Sequence, residues 1–317
     1  MNVTHKEAFA LLQNTDNILI LTHRNPDGDA VGSMFGLFYA LKEMGKNVRC
    51  IIDTVSDALS FPVTEEAFIE FEPDAVVTVD VADKKLLTED TLEKYGDRVF
   101  LAIDHHEANK PFSEHLLLDY KASAACEVLF DMLTAAGREI SRECATALYL
   151  GISTDTGCFR YPNTSAHTLY AASVLVEKGV DNGEINRIVF ETKSRAYVQF
   201  EALAMSSLRT YFDGKCAVIV LTQDMFRRTG VSEADTHGIA ALPRQIEGVL
   251  AGIVVKEKKD GTYKISVRTN EPISAAEICE VFGGGGHRLA AGCDMAGRPQ
   301  QVVNDILKVV GEALENI

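Results

Sequence analysis

The sequence contains no run of about 18 uncharged apolar residues, the length a membrane-crossing helix needs. Its start, MNVTHKEAFALLQ, lacks the apolar core and small-residue cleavage site of a secretory signal, so a cytoplasmic protein is expected. Cysteine is sparse and poorly placed for bridging. The seven residues Cys50, Cys126, Cys144, Cys158, Cys216, Cys279 and Cys293 are odd in number and include no CxxC pair. That argues against a disulfide framework or a cysteine zinc site. Basic charge is also short, 31 Lys and Arg against 46 Asp and Glu, for a net charge of −15. The deficit disfavours a long duplex held by phosphate contacts and leaves room for a short anion in a local pocket. What remains is a globular composition, 46% hydrophobic and 24% charged over 317 residues, long enough for two domains with a core each.

From the start to about residue 185, short Val- and Ile-rich runs alternate with helical spacing, which predicts an α/β fold on a mostly parallel sheet with helices on both faces. Strands are expected at 17–22 (NILILT), 47–52 (NVRCII), 74–79 (DAVVTV) and 98–103 (RVFLAI), with a shorter one at 116–118. A helix is expected over 29–44, stopping at Gly45, and two more between 123 and 152. Residues 186–212 carry helical spacing without strand signals and suit a helical linker. Over 213–317, CAVIVL, VLAGIVVKEK and TYKISVRT read as strands, the last two joined by a hairpin at Asp-Gly. With helices at 273–281 and 300–316 they form a smaller α+β domain.

Four polar segments stand out. LTHRNPDGDAVGS places His23, Asp27 and Asp29 in a strand-to-helix turn, where Gly28 permits tight backbone; the bland alternative is an Asp-rich turn with Asp29 as helix cap. VVTVDVAD puts Asp80 directly after a buried strand and Asp83 three residues on, a place where a lone Asp is usually a cap. FLAIDHHEANKP ends a strand with Asp104, His105 and His106; paired imidazoles beside a carboxylate are most easily held together by a metal. LGISTDTGCFRYPNTS carries Asp155 at a helix end, then Arg160, Asn163 and Thr164. In open α/β sheets ligands bind beyond the carboxyl ends of strands. His23, Asp27, Asp29, Asp80, His105 and Asp155 therefore make the inventory of a two-metal hydrolytic site. Mixed imidazole and carboxylate donors favour Mn²⁺ or Mg²⁺ over thiophilic metals.

In this order and spacing, HRNPDGDAVGS, VDVAD, DHH and TDTGCFRYPNT resemble the four motifs of the DHH phosphoesterase superfamily, and FGGGGHRLAAGC resembles the substrate-binding motif of the DHHA1 domain. Length and arrangement are most similar to the oligoribonuclease and pAp phosphatase group. The resemblance implies two Mn²⁺ ions, one held by His23, Asp27 and Asp80, the other by Asp29, Asp80, His105 and Asp155, with Asp80 bridging. It implies His106 as donor or general acid at the scissile phosphate and Asp104 as support for the histidines. Arg160, Asn163 and Ser33 become candidate substrate contacts, Ser33 with helix packing as an equal alternative. Without the resemblance Gly283–Gly286 would read equally as a flexible loop. With it, Gly284, Gly285, Gly286, His287 and Arg268 become candidate ligands for the far phosphate of a short nucleotide, bound across a cleft between domains.

The function so implied is hydrolysis of dinucleotides and other very short RNA, and of 3′-phosphoadenosine 5′-phosphate (pAp), by a protein that ignores long duplexes and membranes; a homodimer stays open. The closest alternative is a phosphodiesterase for pApA or cyclic di-AMP, followed by a single-strand exonuclease. A noncatalytic nucleotide sensor would show decayed ligand positions, and all six are intact. His5, His115, His167 and His237 fall outside the motifs and read as surface or capping groups.

Overall fold

The computed structural model describes residues 1–233 and 236–315, and the chain divides into two compact units, Met1–Thr192 and Lys193–Ile317. The first unit runs α1 (His5–Gln13), β1 (Asn17–Leu21), α2 (Gly28–Glu43), β2 (Asn47–Ile51), β3 (Ala75–Val79), α3 (Glu89–Tyr95), β4 (Val99–Asp104), β5 (His115–Leu118), α4 (Ala125–Ala135), α5 (Arg142–Asp155), α6 (Ala166–Glu177) and α7 (Asn182–Asn186). Its five strands are all parallel in the order β2-β1-β3-β4-β5. Alternating side chains bury both faces. Ile18, Ile20, Val77, Val79, Leu101 and Ile103 pack with the residues of α1, α2, α4 and α5, while Leu19, Leu21, Val76 and Val99 pack with Leu87 and Tyr95 on the α3 side. Strands buried on both faces read as unbroken apolar runs, which is why AVVTV and VFLAI are recognisable in the sequence. The chain leaves β1 toward β2 on one side and later returns to β3 on the other, so a crevice opens beyond the carboxyl ends of β1 and β3.

Hydrophobic periodicity does not anticipate α1, although Thr4 and Glu7 form a capping box there: Glu7 N–H donates to the Thr4 hydroxyl at 3.3 Å and Thr4 N–H to the Glu7 carboxylate at 2.8 Å.

The second unit comprises α8 (Arg195–Ser206), β6 (Arg209–Tyr211), β7 (Cys216–Leu221), α9 (Gln223–Thr229), β8 (Ala251–Glu257), β9 (Tyr263–Thr269), α10 (Ala275–Glu280), β10 (Gly285–His287), β11 (Ala290–Met295) and α11 (Pro299–Glu315). The sheet order is β10-β11-β9-β8-β7-β6, with β7 and β8 parallel and the other pairs antiparallel. The β8–β9 hairpin closes on the Asp-Gly turn, where Thr262 N–H donates to Asp260 Oδ1 at 2.9 Å and Gly261 takes φ 80°. The segment expected as a linker is divided. Residues 187–191 form a π-helical turn in the first unit, whereas α8 buries Phe200 and Ala204 against Ile219, Leu221 and Phe226 of the second. Asn316, the last residue expected in the final helix, lies outside the described residues. The glycine run is not a free loop: its last two glycines and His287 make the edge strand β10.

Candidate metal centre

The turn after β1 delivers His23, Asp27 and Asp29 to the crevice. Asp27, not Asp29, caps α2: its Oδ1 accepts from Asp29 N–H at 3.1 Å and Ala30 N–H at 3.0 Å. Asp80 follows β3 with φ 58°, a left-handed conformation that turns its carboxylate away from the strand's alternation. For a non-glycine residue this costs roughly 1 kcal/mol or more, and such strain persists where the surroundings enforce it. Asp83, one turn on, caps the short helix that follows it and pairs with Lys110 at 3.0 Å, outside the cluster.

Both histidines have one ring nitrogen committed to a carbonyl, His23 Nδ1 to Arg24 at 2.9 Å and His105 Nδ1 to Ala122 at 3.4 Å. That leaves Nε2 of each for the site. His23 Nε2 lies 3.4 Å from Asp80 Oδ2 and 3.8 Å from Asp27 Oδ1. His105 Nε2 lies 3.6 Å from Asp80 Oδ1, 3.7 Å from Asp29 Oδ2 and 3.4 Å from Asp155 Oδ2. Three groups thereby bring their donor atoms within 4.8 Å of one another: His23, Asp27 and Asp80; Asp29, His105 and Asp155; and Asp80, His105 and His106. The separations are long for hydrogen bonds. Two donors each about 2.1 Å from one ion sit about 3 to 3.5 Å apart, so the spacing suits the edges of coordination polyhedra. Asp80 Oδ1 is buried without a hydrogen-bond partner among the described residues, an atom that a cation would satisfy. The donor set fits divalent metal ions.

The electrostatics point the same way. Burial disfavours a charged His23, but the Asp27 and Asp80 carboxylates override it and raise its pKa to about 11. Burial also opposes charge on His105, yet Asp80, Asp29 and Asp155 raise it to about 10. Burial, then the neighbouring carboxylates, push Asp29 up to about 7 and Asp155 up to about 8. Asp80 goes the other way: burial is outweighed by the adjacent His105 and His23 imidazoles, whose positive charge holds it well below the carboxylate range. Without metal, the crowded carboxylates are balanced by protons.

Two comparisons decide the lineage. Residues 17–152 match the family described as DHH family, N-terminal domain, and residues 213–316 match the DHHA1 domain. Over 303 residues, 94% of this chain and 90% of the other, the sequence is 31% identical to the bifunctional oligoribonuclease and PAP phosphatase NrnA of Thermus thermophilus. The chain belongs to the DHH–DHHA1 family. Another relative, the cyclic-di-AMP phosphodiesterase GdpP of Geobacillus thermodenitrificans, is 26% identical over 90% of this chain and 46% of its own. A solved structure, an exopolyphosphatase-related protein from Bacteroides fragilis, superposes with a TM-score of 0.87 at 26% identity, covering 98% of this chain and 96% of that one.

The remaining motif residues of this DHH–DHHA1 chain take varied places. Asp104 is fully buried and accepts from His106 Nδ1 at 2.8 Å and from Asn109 Nδ2 at 2.6 Å. Ser33 is buried on α2 with its hydroxyl donated to the Ala30 carbonyl, the packing alternative. Asn163 donates to the carbonyls of Ser123 at 3.2 Å and Asp155 at 3.1 Å. Arg160 Nε donates to the Gly157 carbonyl at 2.5 Å while its guanidinium lies 5.8 Å from the Phe190 ring. In the second unit, Gly252, Arg268, Ala290 and His287 occupy one cross-strand row, so Arg268 and His287 share a sheet face with only a small side chain between them. Outside the motifs, His167 pairs with Asp131 at 2.8 Å, whereas His115 is half-buried against the Phe100 ring and is no surface group. The side chain of His237 lies outside the described residues.

Sequence reasoning passed over Asn109, although it stands in the DHHEAN string, and Gly151, whose role needs three dimensions. A Cβ on Gly151 of α5 would overlap Cys126 Sγ and stand 2.6 Å from Asp29 Oδ1. Gly151→Ala is therefore expected to destabilise the protein by about 1–3 kcal/mol in urea unfolding, although alanine is better in a helix by roughly 1 kcal/mol. Unchanged stability would show that α2 and α5 separate freely.

Proposed function

We propose that this DHH–DHHA1 protein is a two-metal phosphohydrolase that degrades very short oligoribonucleotides to mononucleotides and removes a phosphate from pAp. The observation that carries the reading is the meeting of His23, Asp27, Asp29, Asp80, His105 and Asp155 at one sheet edge in donor groups that share Asp80 or pack beside it. The NrnA relative named for these two activities, covered over nine-tenths of its length, supports the choice of substrates. Manganese is the proposed metal, with magnesium as the alternative, since a carboxylate-rich donor set without thiolate favours these ions over thiophilic metals.

His23, Asp27 and Asp80 would hold one ion; Asp29, Asp80, His105 and Asp155 would hold the other. When bound, the two cations supply Lewis acidity at the phosphoryl oxygens and an acidified water at neutral pH. The chain's own residues do the rest. Backbone N–H groups of Ala125 and Cys126 hold both oxygens of Asp29 at 2.6 and 3.0 Å, and the Arg24 and Ala122 carbonyls fix which histidine nitrogen faces the site. Asp104 holds His106 Nδ1, so His106 Nε2 is the atom that delivers a proton to the ester oxygen as its bond to phosphorus breaks and water oxygen takes its place. Residues 1–185 form the catalytic domain in this reading, and 213–317 bind the substrate's far phosphate through Arg268, His287 and the edge of β10.

The deciding experiment is turnover by the purified protein with Mn²⁺ on pAp, pApA, cyclic di-AMP and RNAs of two to about twenty nucleotides. The reading expects hydrolysis of pAp and the shortest RNAs, falling steeply with length. Exclusive hydrolysis of cyclic di-AMP would replace it with the activity of the GdpP relative. Arg268→Ala and His287→Ala are expected to cost about tenfold or more in kcat/KM on dinucleotides while sparing a small chromogenic phosphodiester. Equal losses on both substrates would remove the second unit's proposed part.

A further inference from the structure

Glu127 lies in the first turn of α4 within the apolar run CEVLF and is only 3% exposed. A carboxylate buried this far is costly unless donors replace its water. Three converge on Oε2: Ser123 N–H at 3.0 Å, the Ser123 hydroxyl at 2.5 Å and the Thr168 hydroxyl of α6 at 2.8 Å. Among the described residues it forms no ion pair and no bond to any proposed metal ligand. What it secures is the corner 122–126, where the chain enters α4.

That corner reaches one donor group on three sides. The Ala122 carbonyl meets His105 Nδ1 at 3.4 Å. The Ser123 carbonyl accepts from Asn163, whose amide also donates to the Asp155 carbonyl at 3.1 Å. Ala125 and Cys126 N–H groups grip the two oxygens of Asp29 at 2.6 and 3.0 Å. Asp29, His105 and Asp155 are one complete group of converging donors. His23 and Asp27 are supported elsewhere, by the Arg24 carbonyl and the start of α2.

We propose that Glu127 is a positioning residue for one of the two cation sites, the one built from Asp29, His105 and Asp155, and not for the other. The inference rests on the two-metal reading. Loss of its carboxylate would release the Ser123 N–H and hydroxyl, loosen the corner, and let all three of those donors drift while His23 and Asp27 stay in place.

The test counts ions rather than turnover. Mn²⁺ is titrated into metal-free full-length protein by calorimetry, with bound ions and their magnetic coupling followed by electron paramagnetic resonance. Wild type is expected to take two ions. Glu127→Ala should keep one ion at its wild-type affinity and bind the other about tenfold to a hundredfold more weakly, the range for removing an outer-shell partner. Thr168→Val, which deletes one donor and leaves the carboxylate, should weaken the same ion to a smaller degree, and Glu127→Gln, which keeps an acceptor for Ser123 N–H, should recover part of the loss. Equal weakening of both ions, or no weakening in any variant, overturns the proposal. If Glu127→Ala does not fold, the other two variants decide by the same criterion. A wild-type protein that binds fewer than two ions strikes the two-metal reading instead.

Discussion

Asp80→Asn is expected to lower turnover roughly a thousandfold or more on every substrate, because one substitution weakens both proposed cation sites at once. Asparagine is the informative replacement. Asp80 sits at φ 58°, and asparagine tolerates the left-handed region at least as well as aspartate, so the backbone is preserved while the charge is removed. Asp80→Ala would combine that loss with backbone strain and blur the two. The variant should fold and melt cooperatively, and in a Mn²⁺ titration both ions should bind more weakly, a pattern distinct from the single-ion loss expected on changing Glu127. Wild-type turnover in Asp80→Asn would end the bridging assignment.

The second large effect is on pH. In the metal-free protein the Asp27 and Asp80 carboxylates keep His23 protonated up to about pH 11, and Asp80, Asp29 and Asp155 keep His105 protonated up to about pH 10. Imidazole binds a cation only after its proton leaves, so metal competes with both protons. The sign follows directly. Affinity rises with pH throughout the range below these pKa values, with the displacement of about two protons giving roughly a hundredfold per pH unit for the pair of ions between about pH 6 and pH 8. Asp155, raised to about 8, and Asp29, raised to about 7, steepen the lower part of the range because each is partly protonated there. Calorimetry in buffers of different ionisation enthalpy counts the released protons. A flat affinity with no proton release would mean that the histidines are neutral before metal arrives.

Much of this arrangement can be read before folding is known, and the reasons are specific. The parallel strands are legible because burial on both faces leaves no polar alternation to dilute runs such as AVVTV. His23, Asp80 and the Asp104–His106 triplet can be picked out because polar residues terminate otherwise apolar strands, and strand ends are where such a sheet opens. The glycine run is harder. Its partner strand, AAGCDM, contains no β-branched or aromatic residue, and β10 forms because Gly284 and Gly286 let the backbone approach Cys293 and Ala291 closely, a contact that no local pattern encodes. Glu127 and Gly151 are opaque for a related reason. One acquires meaning from Thr168, 41 residues away, and the other from Asp29. Glu127 still leaves a trace, a lone charge in an apolar helix start, that helical periodicity treats as noise.

The donors at the sheet edge come from positions 23 to 155, and they meet only when β1, β3, β4 and α5 are all in place. An unfolded chain therefore has nothing comparable to offer a divalent ion. Occupancy then draws the population toward the native form, by about 2.7 kcal/mol for each ion present at a hundred times its dissociation constant. Resistance of the first unit to proteolysis should thus track the free divalent metal around it, so that depletion of the metal threatens the lifetime of the polypeptide as well as its chemistry.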